Sequence, residues 1–592
     1  MSDRKPYDGK TRKLIITIDV GTTFSGASYS ILEPGKVPQV SGVNRYPAQE
    51  HAGGDSKIPS IVLYDADGEV RDVGAEALQD DIQERAEDEG WMKAEWFKLH
   101  MRPRAIDPSQ KLSRLPPLPF NKTAFDVFAD FLRYMFKCTK TYIQETQPSG
   151  AQFWTAFADT FDLVLTHPNG WEGRQQSQMR LAAVDAGIVP DNDAGRGRVS
   201  FVTEGEASLN FCLAKGLMDR EMEDEGVIIV DAGGGTIDMS AYARKSMSNE
   251  ISYVEIAPAR CAFQGSILVR YNAEDYLRGH LDGSKYLDSV DDMLTVFDTK
   301  TKHTFKNAKI PVYIKFGTSR DNDPPFDIKA GKLTLPGADV ASFFDPSVVA
   351  IAQGVLAQRE AAKCPVKTVF LVGGFAASAY LYTQLQETLG PLGIAICRPE
   401  SCMNKAVAEG GVLHTLQRQV SARVARFTYG VVVSVPYDTD NAEHRKRRAK
   451  VYTNRLGDER LSGSFLPLVH AGRQVSETEE FARNALSFIH DASHADTRHR
   501  TRILRHSGNS LPDWVDEDMA NFQILCTLTR DISQIIHSMD PLHDASGVAY
   551  YKFDLGVVLF FGLTEFKAQL RWEEDGVEQR SPMQVVYPDE PA

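Results

Sequence analysis

Two segments of this sequence combine residue types that could handle a polyphosphate. Asp19 is followed by Gly21-Thr22-Thr23, and Asp231 by Gly233-Gly234-Gly235-Thr236. A phosphate chain needs backbone N–H groups aimed at it and no side chain in the way. Glycines and small hydroxyl residues in a tight turn meet that need, and threonine adds a hydroxyl donor. Each turn follows an aspartate at the end of an apolar run, so one carboxylate stands beside each turn. Two carboxylates repel a polyphosphate, but they can hold Mg²⁺ through its waters, and the metal then bridges to phosphate oxygens. A third glycine pair, Gly373-Gly374, lies between Phe370-Leu-Val and Phe375 at the end of another apolar run, where backbone could approach a ribose or a base. Neither GxxxxGK[ST] nor GxGxxG is present, which excludes the P-loop and Rossmann types of phosphate site.

The elements that must position these turns are legible as apolar runs. LIITIDVGTTFS (14–25) and GVIIVDAGGGTI (226–237) can be laid over each other so that Asp19 matches Asp231 and Gly21 matches Gly233. Each is a buried strand, an aspartate at its tip, and a turn of small residues. Two copies predict a duplicated fold with two similar lobes. FDLVLTHP (161–168) reads as a strand stopped by Pro168, and Arg174–Gly187 as a helix ending at a glycine. Phe125, Phe128, Phe131, Leu132, Met135 and Phe136 recur at helical spacing within 121–146, as core positions of an amphipathic helix. Strands alternating with helices point to α/β architecture. From about residue 423 the pattern changes to strands separated by polar loops (428–435, 550–563, 566–572), a separate, mostly β region.

Composition bounds the rest. With 592 residues, the chain is long enough for several lobes, each with its own core. Its 66 Lys+Arg against 80 Asp+Glu leave a formal charge of −14, which argues against a dedicated nucleic-acid binder. No apolar run approaches the ~18–20 residues needed to cross a bilayer, and Leu14–Ile18 is too short for a signal-peptide core. The 7 cysteines are odd in number, scattered and never spaced CxxC, so neither a disulfide framework nor a zinc cluster is expected. A cytoplasmic protein with reduced thiols is the expectation, and the Asn121-Lys122-Thr123 sequon then carries no sugar.

The motifs, taken in order, resemble those of the actin-like ATPase superfamily and, within it, the heat-shock protein 70 chaperones. IDVGTTFSG (18–26) looks like the first phosphate motif, VDAGGGTID (230–238) like the second and LVGGFAAS (371–378) like the adenosine motif. LVLTHPNGW (163–171) with Arg174–Gly187 resembles the inter-lobe segment, and TEGEASL (203–209) the motif that supplies a carboxylate to the attacking water. The resemblance covers roughly 14–420. It implies a duplicated actin-like ATPase fold with two lobes around a nucleotide cleft: a polar tail (1–13), lobe I (14–225), lobe II with a return to lobe I (226–422) and a β-rich region (423–592), read as a degenerate substrate-binding domain.

Carried residue by residue, the resemblance implies ATP with Mg²⁺. Asp19 and Asp231 would hold the water shell of the metal, and Gly21, Thr22, Thr23 and Gly233–Thr236 would surround the β- and γ-phosphates. Glu204 would place or deprotonate the attacking water, with Glu206 as the alternative. Lys98 would reach the γ-phosphate, Asp238 would sit behind the second turn, and Gly373 and Gly374 would lie near the nucleoside. Thr166-His167-Pro168 corresponds to a hinge relaying nucleotide state. The sequence also departs from the family. Phe375 and Ala377 stand where a Ser and an Arg usually pack on adenine, so the aromatic could stack on the base instead. Asn404 replaces an Asp, Gln176 an Arg, and the C-terminus lacks both a helical lid and the EEVD tail. These departures resemble the lid-less heat-shock-70-like branch.

Three functions follow for testing. The first is a Mg²⁺-dependent slow ATPase whose nucleotide gates a client polypeptide or co-chaperone. The second is a small-molecule kinase, such as a sugar kinase, and the third a scaffold that binds nucleotide without turnover. Two further clusters have bland readings. His490, His494 and His499 lack the glutamate of HExxH and read as surface histidines. The basic run His444–Lys450 reads as a solvated loop, with a phosphate-rich partner as the minority reading.

Overall fold

The computed structural model describes residues 5–49, 57–103, 114–171, 173–217, 225–247, 250–399, 405–454, 456–476, 479–490, 498–531, 533, 539–544, 547–561, 565–574, 577–581 and 584–585. The chain divides into two compact units, the first comprising Met1–Trp171 and Gln175–Val420, the second Glu172–Arg174 and Ser421–Ala592.

The first unit is built on two sheets of the same design. In lobe I, β1 (Lys13–Asp19) pairs antiparallel with β2 (Phe24–Leu32) and parallel with β3 (Asp162–His167), which pairs in parallel with β4 (Val199–Thr203). The short strand Val40–Gly42 closes the other edge against β2. In lobe II, β5 (Gly226–Ala232) pairs antiparallel with β6 (Ile237–Met247) and parallel with β7 (Val366–Val372), with Glu250–Glu255 and Ala395–Cys397 in the outer places. Strand order and pairing sense therefore repeat. So does register: Asp19 stands opposite Gly26, and Asp231 opposite Asp238.

Sequence explains why these strands lie inside. β1 and β5 are runs of β-branched and aliphatic residues without alternation, as a strand covered on both faces requires. Leu14, Ile16 and Ile18 enter one core, together with Phe128, Phe131, Leu132 and Met135 of α1 (Ala124–Thr146). That helix starts at a capping box, with Thr123 and Asp126 each satisfying the other's backbone N–H. Ile228, Val230 and Ile237 enter the second core.

Two helices join the lobes. α2 (Glu204–Ala214) follows β4 directly, and α4 (Ala406–Gln417) packs on it; between them in sequence, α3 (Ser266–His280) begins beside the second glycine turn. The α2–α4 crossing is close because of glycine: a Cβ on Gly410 would run into the carbonyl oxygen of Ala207, and one on Gly411 would come 2.5 Å from Thr17 Cγ2 of β1. Glu206 of α2 lies with its Oε1 2.9 Å from His414 Nδ1 of α4. That contact ties Glu206 to the helix pair.

The second unit is mostly β. Thr428–Pro436, Glu459–Val469, Arg498–His506 and Phe522–Asp531 share one sheet, and Glu480–His490, Ala549–Phe561 and Phe566–Glu574 another. Tyr429, Val431, Ile503, Leu525, Leu555, Val557, Leu570 and Trp572 form its core. Among the described residues its longest helix is Ala442–Lys446, five residues. The basic run is largely neutralised within this unit. Arg447 pairs with Glu443 at 2.9 Å and with Asp516 and Glu517 at 2.8 Å, Lys446 with Glu443, and Lys450 with Asp516. Its Arg447 guanidinium also lies 4.8 Å from the centre of the Trp514 ring. His494, Cys402 and Asn404, and the side chains of His490 and His499, lie outside the described residues. The six described cysteines are free thiols. Among the described residues no helix is long and apolar enough to cross a membrane.

Candidate functional site

The two glycine-rich turns meet. A Cβ on Gly234 would collide with the Thr23 side chain; one on Gly235 would come 2.5 Å from Thr22 Oγ1 and 2.9 Å from Leu99 Cδ2. Only glycine lets the turns approach this closely. Gly21 N donates to Ser25 Oγ at 3.0 Å, and Ser60 Oγ donates to Gly21 O at 2.8 Å, which pins the first turn. In the second, Gly233 N donates to Thr236 O at 2.9 Å. The carbonyls of Gly233 and Gly234 accept from Ser266 and Ile267 at the start of α3. Because N–H and C=O of a trans peptide point in opposite directions, the N–H groups of Gly234 and Gly235 face away from that helix.

The carboxylates at the strand tips sit in different electrostatic surroundings. Asp19 is buried, yet it accepts from Lys57 Nζ at 2.7 Å and from Thr166 Oγ1 at 2.8 Å. Burial alone would push it up; Lys57 and Lys98 outweigh burial and hold it below the usual aspartate value. Asp231 accepts only a neutral donor in this set, Ser208 Oγ at 2.8 Å. Burial, then the nearby Glu204 charge, push it up to about 7. Asp238 behind it is fully buried, accepts from Asn169 N at 2.5 Å, and is pushed well above the usual range by burial and by Glu204.

Lys98 and Glu204 form a buried ion pair, Nζ to Oε1 at 2.6 Å, with side chains 3% and 12% exposed. Burial opposes the charged lysine, but Glu204 and Asp19 more than offset it and hold its ammonium above the ordinary value. Burial pushes Glu204 up against the pull of Lys98. Glu204 opens α2, whose N-terminus is capped by the Thr203 hydroxyl. Among the described residues, no group of three or more His, Cys, Asp or Glu side chains forms a metal cluster of its own.

Gly373 follows β7 with φ of +90°, a conformation glycine adopts without strain, and a Cβ there would strike Asp231 Oδ1. The third glycine motif therefore closes on the second aspartate.

No family model matches the chain. Over 509 residues it is 22% identical to heat shock 70 kDa protein 12B of Homo sapiens, spanning 71% of this chain and 71% of that protein. Over 303 residues it is 25% identical to the chaperone protein DnaK of Stenotrophomonas maltophilia (strain R551-3), covering 50% of this chain and 42% of that one. Repeated sheets, paired aspartate tips and these relatives agree. The chain is similar to heat-shock protein 70 chaperones.

Around the two turns lie Asp19, Thr22, Thr23, Lys98, Glu204, Asp231, Gly233–Thr236, Asp238 and Gly373. Phe375 is 5% exposed and belongs to the lobe II core, its ring stacked 6.2 Å from that of Phe344.

Sequence reasoning missed Lys57, Thr166 as a partner of Asp19, Asn169 and Ser208. Thr166 was recoverable, because parallel pairing of Ile18 with Leu165 sets it beside Asp19. Lys57 carried no signal, since nothing local distinguishes it from a surface lysine. Next to the end of β3, Gln176 Nε2 lies 3.0 Å from His167 Nε2, within hydrogen-bond distance.

Proposed function

We propose that this protein binds ATP with Mg²⁺ between its lobes and hydrolyses it slowly, so that nucleotide state gates a client polypeptide or co-chaperone. The observation that carries this reading is the contact of the two glycine turns, Gly234 on Thr23 and Gly235 on Thr22, with Asp19 and Asp231 at the tips behind them. The donor chemistry fits the metal: two carboxylates suit a hydrated hard cation, and Asp231, pushed up to about 7, is a carboxylate that gains from nearby positive charge. Asp19 and Asp231 would hold it through water, and when bound it would neutralise charge developing on the phosphates.

The chain's own residues account for the remaining roles. Backbone N–H groups of Gly234 and Gly235 and the hydroxyls of Thr22, Thr23 and Thr236 orient the β- and γ-phosphates. Glu204 orients a water in line with the γ-phosphorus and accepts its proton; the water oxygen bonds to phosphorus as the bond to the β–γ bridging oxygen breaks, leaving ADP and phosphate, and the proton passes from Glu204 to the phosphate or to solvent. Lys98 fixes Glu204 and lowers the charge cost of bringing a triphosphate near three carboxylates. A scaffold that binds without turnover is the second reading, favoured by the lock between Glu204 and Lys98.

Calorimetry with ATP and Mg²⁺ tests the reading. Binding by the wild type, lost in both Asp19→Ala and Asp231→Ala, is the expected result; unchanged affinity in both variants overturns it. Single-turnover cleavage of the bound ATP separates the ATPase from the scaffold.

A further inference from the structure

Lobe I and lobe II repeat each other around the tip aspartates, and they differ in the residue that faces each tip. Opposite the tip aspartate, lobe II carries Asp238 and lobe I carries Gly26. The strand after the first turn pairs Ser25 with Ile58, which brings Lys57 alongside Gly26. A Cβ on Gly26 would come 3.3 Å from Lys57 Cγ, so the missing side chain is the room through which the lysine stem passes. Its ammonium ends 2.7 Å from Asp19 Oδ2. The Asp19 side chain is 4% exposed and that of Lys57 17%, so the pair is inside but the lysine keeps a wet side. Lys98, by contrast, is spent on Glu204 with a side chain only 3% exposed.

We propose that Lys57 is a built-in cation of the phosphate site: it neutralises Asp19 and contacts the terminal phosphates, so that nucleotide binding by this chain persists when divalent metal is removed. This rests on the ATP-binding reading above. The physical ground is charge. A triphosphate approaching Asp19 needs a positive group between the two anions, and an ammonium with three donors can bridge a carboxylate and a phosphate oxygen at once. The Asp19 carboxylate has lone pairs enough to serve both this ammonium and a hydrated Mg²⁺, were one bound. Two cations sharing one duty make either one less necessary.

The test measures ATP affinity of the full chain by calorimetry in excess Mg²⁺ and again in EDTA, for the wild type, Lys57→Ala and Lys57→Arg. The quantity read is the ratio of the two affinities within each protein, which does not depend on the fraction folded. A wild-type ratio within about tenfold, rising at least tenfold further in Lys57→Ala and staying near wild type in Lys57→Arg, is the expected result. A wild-type affinity abolished by EDTA, or an equal ratio in wild type and Lys57→Ala, overturns the role of Lys57 while leaving the ATP-binding reading intact. Absence of binding even with Mg²⁺ overturns that reading, and this one with it. A lysine that merely braces the fold would shift the melting temperature in Lys57→Ala and leave the ratio unmoved.

Discussion

The backbone N–H of Asn169 in lobe I donates to Oδ1 of Asp238 in lobe II at 2.5 Å, and both residues are fully buried. Asn169 follows the strand that ends beside Asp19, and Asp238 sits opposite Asp231, so this bond ties the surroundings of one tip to those of the other. The Asn169 amide strengthens the tie, with Nδ2 donating to Ser240 Oγ at 3.0 Å and to Arg260 O at 3.1 Å. Asn169→Ala keeps the backbone bond and loses the amide ones, and should cost about 1–3 kcal/mol because the buried Ser240 hydroxyl loses its donor. Asp238→Ala should cost more than Asp238→Asn, which retains an oxygen for the Asn169 N–H. Urea denaturation of the three variants ranks them; Asp238→Asn as damaging as Asp238→Ala would show that charge, not acceptance, matters there.

A second expectation concerns the contact of the turns. Gly234→Ala pushes a methyl into the Thr23 side chain, so the turns must part and ATP affinity should fall at least tenfold. Because the collision involves two named side chains, Thr23→Ala should relieve part of it. The stability of the double variant should then exceed the sum of the single effects, with a coupling of about 0.5–3 kcal/mol. Additive losses in thermal unfolding would mean that the backbone absorbs the methyl and that the close approach is not needed.

How far the sequence anticipates this arrangement depends on the range of each interaction. The duplicated strand–Asp–turn units are local patterns, and the α/β fold with its repeated sheets follows from them. Fully apolar strands announce burial on both faces, and the 125–136 aromatics announce a core-facing helix. Partners of the carboxylates are another matter. Lys57, Thr166, Asn169 and Ser208 approach Asp19, Asp238 and Asp231 across 38, 147, 69 and 23 residues of chain. Their side chains are ordinary ones whose meaning comes only from register.

Asp231 predicts a pH dependence with a definite sign. Its native value, pushed up to about 7, exceeds the ~3.9 of an unfolded aspartate, so the folded chain binds this proton more firmly. The resulting stabilisation is complete below the unfolded value and is lost as pH rises through the native one. Without nucleotide or metal, the wild type should lose stability between roughly pH 4 and pH 7 at up to about 1.4 kcal/mol per pH unit from this group. Asp231→Asn, which cannot titrate there, should lack that component. Melting temperatures of both proteins across pH 4–8 check it, and parallel curves would remove Asp231 from the account.

The Lys98–Glu204 pair separates folding from chemistry. Lys98→Ala leaves Glu204 buried without its counter-charge and should cost about 3–5 kcal/mol, the usual penalty for breaking a buried pair from one side. Glu204→Gln is milder, since an amide oxygen still accepts from Lys98 and the helix cap at Thr203 is untouched. That variant should therefore fold and bind ATP with little change. An amide cannot take a proton from water and holds it less firmly, so single-turnover cleavage of bound ATP should slow by about 10²-fold or more. If cleavage in Glu204→Gln stays within tenfold of wild type while Lys98→Ala unfolds, the pair is a structural strut and the water must be handled by another group.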